Sequence, residues 1–232
     1  MKITYWSDYA CPYCYIGEAR LKKAVAALGL EKEAEIEMKA FQLDPAAGEH
    51  ATGDTQTRFA RKYGLSMEHA ARSIAHISEL GRAEGLDFRY ATTRFTSTMD
   101  AHRLTKLAQS KGDPSLAERV IERLFRAYFS DNRELADRSL LLDVAVECGL
   151  GAAEAKTVLE SNAFRQDVLL DEREAAHYGI HAVPYFVIGR YAVSGAQNTE
   201  GMKETIAQAL RDGKETVLAS GLGCGPEGCR MG

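Results

Sequence analysis

Two cysteines with two residues between them, Cys11 and Cys14, carry the clearest chemistry in the sequence. They follow a strand-like apolar segment, residues 3–6, and open a segment with helical periodicity. At a helix N-terminus, unpaired backbone N–H groups and the helix dipole stabilise an anion. Because the thiolate is the reactive form of cysteine, we predict that Cys11 is a nucleophile. We predict that Cys14, one helical turn on, resolves the mixed disulfide that Cys11 forms.

The cysteine pair has two other interpretations. A structural zinc site needs four ligands, and the chain's other close pair, Cys224 and Cys229, has four intervening residues in a glycine-rich segment. An inert buried pair is the second alternative. The strand before the motif and the helix after it favour redox chemistry. We therefore predict neither a metal ion nor another cofactor.

The composition excludes several classes of protein. The 232 residues are 45% apolar and 27% charged, as in ordinary globular proteins, and they suffice for one large or two smaller domains. The net charge of −4 is unlike that of a nucleic-acid-binding surface, and no apolar run is long enough for a membrane span. We see no secretory signal, and the five cysteines are an odd number. We therefore expect a cytoplasmic protein with no nucleic-acid or membrane partner.

Hydrophobic periodicity predicts the order of the elements. A strand over residues 1–8, the helix after the cysteines and a strand near residues 36–41 form a βαβ unit with parallel strands. Two short strands and a helix, residues 185–188, 191–194 and 199–210, close the pattern. Helices are predicted between these pieces, over residues 67–84, 99–111, from 114 onward, 137–147 and 152–177.

This order predicts an α/β protein with a discontinuous β-containing domain. Residues 1–48 and 180–212 contribute the two parts of one sheet, and residues 49–179 form an inserted, all-helical domain. Residues 213–232 are predicted to be a flexible C-terminal tail.

Pro184 stands directly before the strand predicted at residues 185–188. In the structural interpretation, proline begins this strand because no ladder hydrogen bond is lost there. In the functional interpretation, Pro184 is a cis proline beside the cysteines, next to a backbone edge on which an extended substrate can lie.

Together these motifs resemble the DsbA family of thioredoxin-fold oxidoreductases. The resemblance rests on the C-P-x-C turn, the helices after the second strand and the sequence Ala-Val-Pro-Tyr-Phe at residues 182–186, and it covers nearly all of residues 1–212. Residues 97–104, Ser-Thr-Met-Asp-Ala-His-Arg-Leu, are similar to a motif of the cytoplasmic FrnE-like branch. The resemblance implies a thioredoxin-like fold with an inserted all-helical domain.

The resemblance also implies a function and its residues. The expected activity is that of an oxidoreductase or isomerase acting on protein disulfides, with Cys11 as nucleophile and Cys14 as resolving cysteine. Val183 and Pro184 are implied to be the cis-proline pair that faces them and binds substrate. Protein or small-molecule thiols and disulfides are the expected partners, and the chain is expected to be a monomer or a homodimer.

The residues between the cysteines depart from the oxidising relatives. This chain has Pro12-Tyr13, whereas the periplasmic DsbA proteins have proline and histidine. Without that imidazolium, there is one positive charge fewer near the sulfur. We therefore expect the cysteine pair to be less oxidising than that of DsbA, whose reduction potential is about −120 mV. The runner-up function comes from a sister branch, the kappa-class glutathione transferases and hydroxychromene-carboxylate isomerases. Those enzymes generally have serine where this chain has Cys11.

The C-terminal pair, Cys224 and Cys229, has three interpretations: a second redox pair, a local disulfide, or half of a metal site. We prefer the second redox pair, with a frayed tail of no function as the further alternative. Two further side chains, those of His102 and Glu18, could lie near the cysteines. His102 is predicted either to line a groove or to pack in the protein. Glu18 lies four residues after Cys14 and could relay its proton, although we expect it on a solvated helix surface.

Overall fold

The computed structural model describes the backbone of residues 1–221 and the side chains of residues 1–213. Within that part the strands are β1 (Lys2–Ser7), β2 (Glu35–Ala40), β3 (Tyr185–Ile188) and β4 (Tyr191–Ser194). The helices are α1 (Pro12–Ala27), α2 (Thr55–Tyr63), α3 (Met67–Ala83), α4 (Met99–Ser110), α5 (Pro114–Phe129), α6 (Arg138–Cys148), α7 (Ala152–Glu160), α8 (Arg165–His177) and α9 (Thr199–Gly221). None of these helices is long and apolar enough to cross a membrane.

The four strands form one mixed sheet in the order β2-β1-β3-β4. β1 and β2 are parallel, with Lys2 opposite Glu35, whereas β3 pairs antiparallel with both β1 and β4. Gly189 has a φ of +59° in the turn between β3 and β4. The predicted βαβ unit, the closing hairpin and the thioredoxin-like α/β fold are confirmed.

Helix starts follow the capping residues in the sequence. The side chains of Asp54, Ser66, Asp113 and Asp137 accept backbone N–H groups at the starts of α2, α3, α5 and α6. Pro114 occupies the first turn of α5, where its missing N–H costs no hydrogen bond. These local signals explain why the starts of α3, α5 and α6 were predictable, whereas the start of α2 at Thr55 was not predicted.

The two faces of the sheet are covered by different helices. On one face, Phe186 and Ile188 belong to the main core with Ile16 of α1 and Ile206 of α9. On the other, Trp6 packs with Ala175 of α8. The indole N–H of Trp6 also donates to a backbone carbonyl of α8 at 3.0 Å. Although α8 lies in the predicted insert, it therefore packs directly on the sheet.

The predicted helix over residues 152–177 is wrong in one respect, because it is interrupted between α7 and α8. Phe164 adopts a φ of +58° there. The guanidinium of buried Arg103 in α4 binds the carbonyls of Val158, Ser161 and Ala163 at this break. The side chain that stabilises the break lies some 60 residues away, so the local periodicity did not indicate it.

The last helix is longer than predicted. α9 runs to Gly221 rather than ending near residue 210, so the first part of the predicted tail is helical. Gly213 lies inside it, and one helical glycine costs only about 1 kcal/mol relative to alanine, too little to end a helix. The pair Cys224 and Cys229 lies outside the described residues.

Candidate functional site

The cysteine motif forms the turn between β1 and α1. The Asp8 carbonyl accepts the Cys11 N–H at 3.0 Å, and the Cys11 carbonyl accepts the Cys14 N–H at 3.1 Å. Cys11 has an extended backbone at the N-cap of α1, and Pro12 follows in the first turn. The Cys11 side chain therefore lies at the end of the helix where the dipole and free N–H groups stabilise an anion.

The two cysteines have different surroundings. Both side chains are largely buried, Cys11 at 4% and Cys14 at 1% exposed, but Cys11 lines a cavity and Cys14 does not. Burial raises the pKa of the Cys14 thiol well above its usual value, and the neighbouring Cys11 sulfur raises it further. Cys14 is thus held as a neutral thiol behind a cysteine that a substrate can reach.

The segment before β3 lies against the first cysteine. The Val183–Pro184 peptide bond is cis, and the Val183 carbonyl oxygen is 3.5 Å from the Cys11 sulfur. Gly17 of α1 allows this approach, because a Cβ there would lie 3.2 Å from the Pro184 ring. The structure therefore brings Cys11, Cys14 and Val183-Pro184 together, as the resemblance implies.

Asp8 was missed by the sequence analysis. It is 1% exposed, and its carboxylate accepts the Ala10 N–H at 3.3 Å and the Leu43 N–H at 2.8 Å. It thereby ties the cysteine turn to the loop after β2. The His102 Nε2 atom of α4 lies 3.5 Å from this carboxylate, and His102 is also buried. His102 belongs to the motif at residues 97–104, but the sequence did not indicate that Asp8 would contact it.

A second contact joins α4 to the same turn. The Tyr9 hydroxyl forms a hydrogen bond with the Thr105 hydroxyl, and the Tyr9 ring lies 4.9 Å from the His102 ring. Tyr9 is fully buried. The helical insert therefore supports the cysteine turn through buried side chains rather than through a solvated interface.

The expectation for Glu18 is wrong: it is 4% exposed. Its Oε1 lies 3.0 Å from the Lys22 amine, which also contacts Glu118 of α5 at 3.1 Å. Burial raises the pKa of the Glu18 carboxyl, although Lys22 opposes this shift. The helix face that looks solvated from α1 alone is covered by α5.

The raised pKa predicts a pH-dependent effect on stability. Protonated Glu18 stabilises the folded state below the unfolded pKa of about 4.3, and this contribution is lost as the pH rises through the higher folded value. Between about pH 4 and pH 8, the free energy of unfolding of Glu18→Gln should therefore rise relative to that of the wild type. Urea unfolding across this range tests the prediction. The exposed Glu204→Gln control should follow the wild type, and parallel curves for Glu18→Gln and wild type would contradict it.

The cavity beside Cys11 has a volume of about 780 Å³. The cysteine turn, the loop after β2, helix α2 and residues 181–183 form its wall. It thus lies between the sheet-bearing part and the helical insert. Tyr13 and Tyr63, 41% and 56% exposed, both line it. Among the described residues, no cluster of three or more histidine, cysteine or acidic side chains is arranged to hold a metal ion.

The fold and this site define a class of protein. Residues 2–207 match the model of the DSBA-like thioredoxin domain. The chain belongs to this family of thiol–disulfide oxidoreductases, as the resemblance predicted. The FrnE-like branch within it stays a prediction.

Several known proteins are similar to this chain over most of its length. It is 35% identical to the probable DsbA oxidoreductase SCO1869 from Streptomyces coelicolor, with a TM-score of 0.84 over 100% of this chain and 99% of that one. It is 24% identical to the uncharacterized protein YwbO of Bacillus subtilis, over 88% of this chain and 95% of the relative. A 2-hydroxychromene-2-carboxylate isomerase shares the fold at 14% identity, with a TM-score of 0.70 over 93% of this chain and 99% of that one.

Proposed function

We propose that this protein exchanges disulfides with protein substrates in the cytoplasm, as an oxidoreductase or isomerase. One observation carries the proposal: Cys11 opens onto the cavity, and Cys14 is buried behind it. A nucleophile must reach the substrate, whereas a resolving thiol needs to reach only the nucleophile. The odd number of cysteines supports a reducing compartment.

In the reductive direction, the Cys11 thiolate attacks one sulfur of the substrate disulfide. The substrate S–S bond breaks, the other sulfur leaves as a thiolate that takes up a proton, and Cys11 is joined to the substrate. Cys14 then attacks the Cys11 sulfur as its thiol loses a proton; the Cys11–substrate bond breaks, and the second substrate sulfur leaves as a thiolate that takes up a proton. The substrate gains two electrons, and the cysteine pair is oxidised to a disulfide that an external thiol reduces again.

Val183 and Pro184 are proposed to hold the substrate during this exchange. The backbone at Val183 lies beside the Cys11 sulfur, at 3.5 Å from its carbonyl oxygen. An extended substrate segment can form main-chain hydrogen bonds along such an edge, which would align its disulfide with Cys11. Tyr13 stands at the rim in place of a histidine, so we propose a couple more reducing than about −120 mV.

Insulin reduction by dithiothreitol, combined with mapping of alkylated cysteines, tests the proposal. We expect catalysis by the wild type, and a Cys224→Ser/Cys229→Ser variant measures whether the tail pair takes part. In the reduced variant, iodoacetamide near neutral pH should modify Cys11 before Cys14, because the Cys14 thiol is buried with a raised pKa. Activity should fall in parallel with Cys11 modification.

The other outcomes are informative. Loss of activity in the tail variant would make Cys224 and Cys229 a working second pair. Catalysis that survives full Cys11 modification would refute the proposed nucleophile. A wild type inactive on insulin but active in glutathione conjugation or isomerisation would favour the glutathione-dependent alternative.

A further inference from the structure

The wall of the cavity opposite the cysteine turn is positively charged. Arg58, Arg61 and Lys62 of α2 all line the cavity that Cys11 also lines. Arg72 on the neighbouring helix α3, in contrast, is paired with Glu68. Among the described residues, no ion pair includes any of the three cavity cations. Their charge is therefore available to a ligand.

Two of these cations, Arg58 and Lys62, each lie over an aromatic ring. Arg58 is half-buried, and its guanidinium lies 3.6 Å from the centre of the Phe95 ring. Lys62 lies over the Tyr63 ring at 5.7 Å. A guanidinium stacked on a ring keeps its N–H donors in its own plane, where they can bind a carboxylate in bidentate fashion. The aromatic support reduces the side-chain entropy that such binding would cost.

The cavity has little opposing charge. Among the described residues that line the cavity, Asp44 is the one acidic residue. Its carboxylate accepts the Ala46 N–H at 3.1 Å. The lining also contains two imidazoles, those of His50 and His181. Three fixed cations against one carboxylate make the cavity positive in a chain whose net charge is −4. A concave wall of one sign concentrates ligands of the other sign.

We propose that this cavity binds small disulfides that carry carboxylates and presents their sulfurs to Cys11. The inference rests on the proposed exchange function and adds a substrate class to it. The volume of about 780 Å³ is within the range of small-molecule sites, about 300–1,000 Å³. Arg58, Arg61 and Lys62 hold the carboxylates, Cys11 attacks, and the electrons and protons move as in the exchange above.

The test compares three small disulfides that differ in charge: 3,3′-dithiodipropionate (anionic), bis(2-hydroxyethyl) disulfide (neutral) and cystamine (cationic). Oxidation of the reduced protein is followed for each, and every rate constant is divided by that of a free small thiol with the same disulfide. We expect the wild type to prefer the anionic over the cationic compound by about tenfold or more at low salt. The preference should shrink at about 0.5 M salt, where charges are screened.

Substitution identifies the residues responsible. In Arg58→Gln/Arg61→Gln/Lys62→Gln, the anionic disulfide should lose about tenfold in rate, while the neutral one keeps its rate. The exposed Arg61→Gln variant gives a smaller loss of the same kind if the triple variant unfolds. Arg72→Gln, which removes an ion-paired arginine on α3, should behave as the wild type. Equal normalised rates with all three disulfides in the wild type, or equal losses with all three in the variants, would overturn the inference and leave the exchange function standing. A wild type that reacts with none of the three but reduces insulin would also overturn the inference, and one that does neither would overturn the exchange function itself.

Discussion

Serine in place of Cys11 is expected to abolish catalysed insulin reduction, with a loss of at least about a thousandfold. A serine hydroxyl does not ionise near neutral pH and cannot form a mixed disulfide. Cys14 cannot substitute for the lost nucleophile, because it is 1% exposed and does not line the cavity. Burial also raises the pKa of its thiol. The measurement is the dithiothreitol-dependent rate of insulin precipitation for the variant and the wild type.

Cys14→Ser provides the matched comparison. Its Cys11 remains able to attack, but no thiol resolves the product, so a covalent complex with the substrate should accumulate. Non-reducing electrophoresis and mass spectrometry detect this complex, and dithiothreitol should release it. Full turnover by Cys11→Ser would show that the pair does not work in this order. The absence of a covalent complex at Cys11 in Cys14→Ser would show the same.

Loss of Arg103 is expected to destabilise the whole protein by about 3–5 kcal/mol. Its guanidinium donates to the carbonyls of Ala163 at 2.8 Å and Ser161 at 2.6 Å and to that of Val158, and it pairs with Asp100 at 2.6 Å. The Arg103 side chain is 4% exposed. Arg103→Met keeps most of the volume but removes the donor of three backbone carbonyls, that of Val158 buried, and one of the two arginine partners of Asp100. Urea unfolding of the variant measures the loss.

Arg138→Met is the control for the charge at Asp100. Arg138 pairs with the other Asp100 oxygen at 3.2 Å, but its side chain is 57% exposed. An exposed pair contributes at most about 1 kcal/mol, so this variant should unfold close to the wild type. A similar small loss for both variants would mean that the break between α7 and α8 does not depend on the buried guanidinium.

Patterns within single elements were sufficient for much of the architecture. Capping residues such as Ser66 and Asp113 mark helix starts because they satisfy backbone N–H groups two or three residues away. The short run of β-branched and aromatic residues at 185–188 identifies a strand because such side chains pack well on a sheet. The spacing of Cys11 and Cys14 indicates redox chemistry for an equally local reason, since a helix start and one turn bring the two sulfurs together.

Features that depend on distant segments were beyond those patterns. Glu18 was expected on a solvated surface because its position on α1 does not indicate what α1 packs against. In the structure its partner Lys22 also contacts Glu118 of α5, roughly 100 residues away in the sequence. The contact of His102 with Asp8 and the cationic wall around Arg58 arise in the same way. Burial and charge pairing depend on which surfaces meet in three dimensions. Only the folded chain brings the helical insert against the cysteine turn and so decides what surrounds the sulfurs.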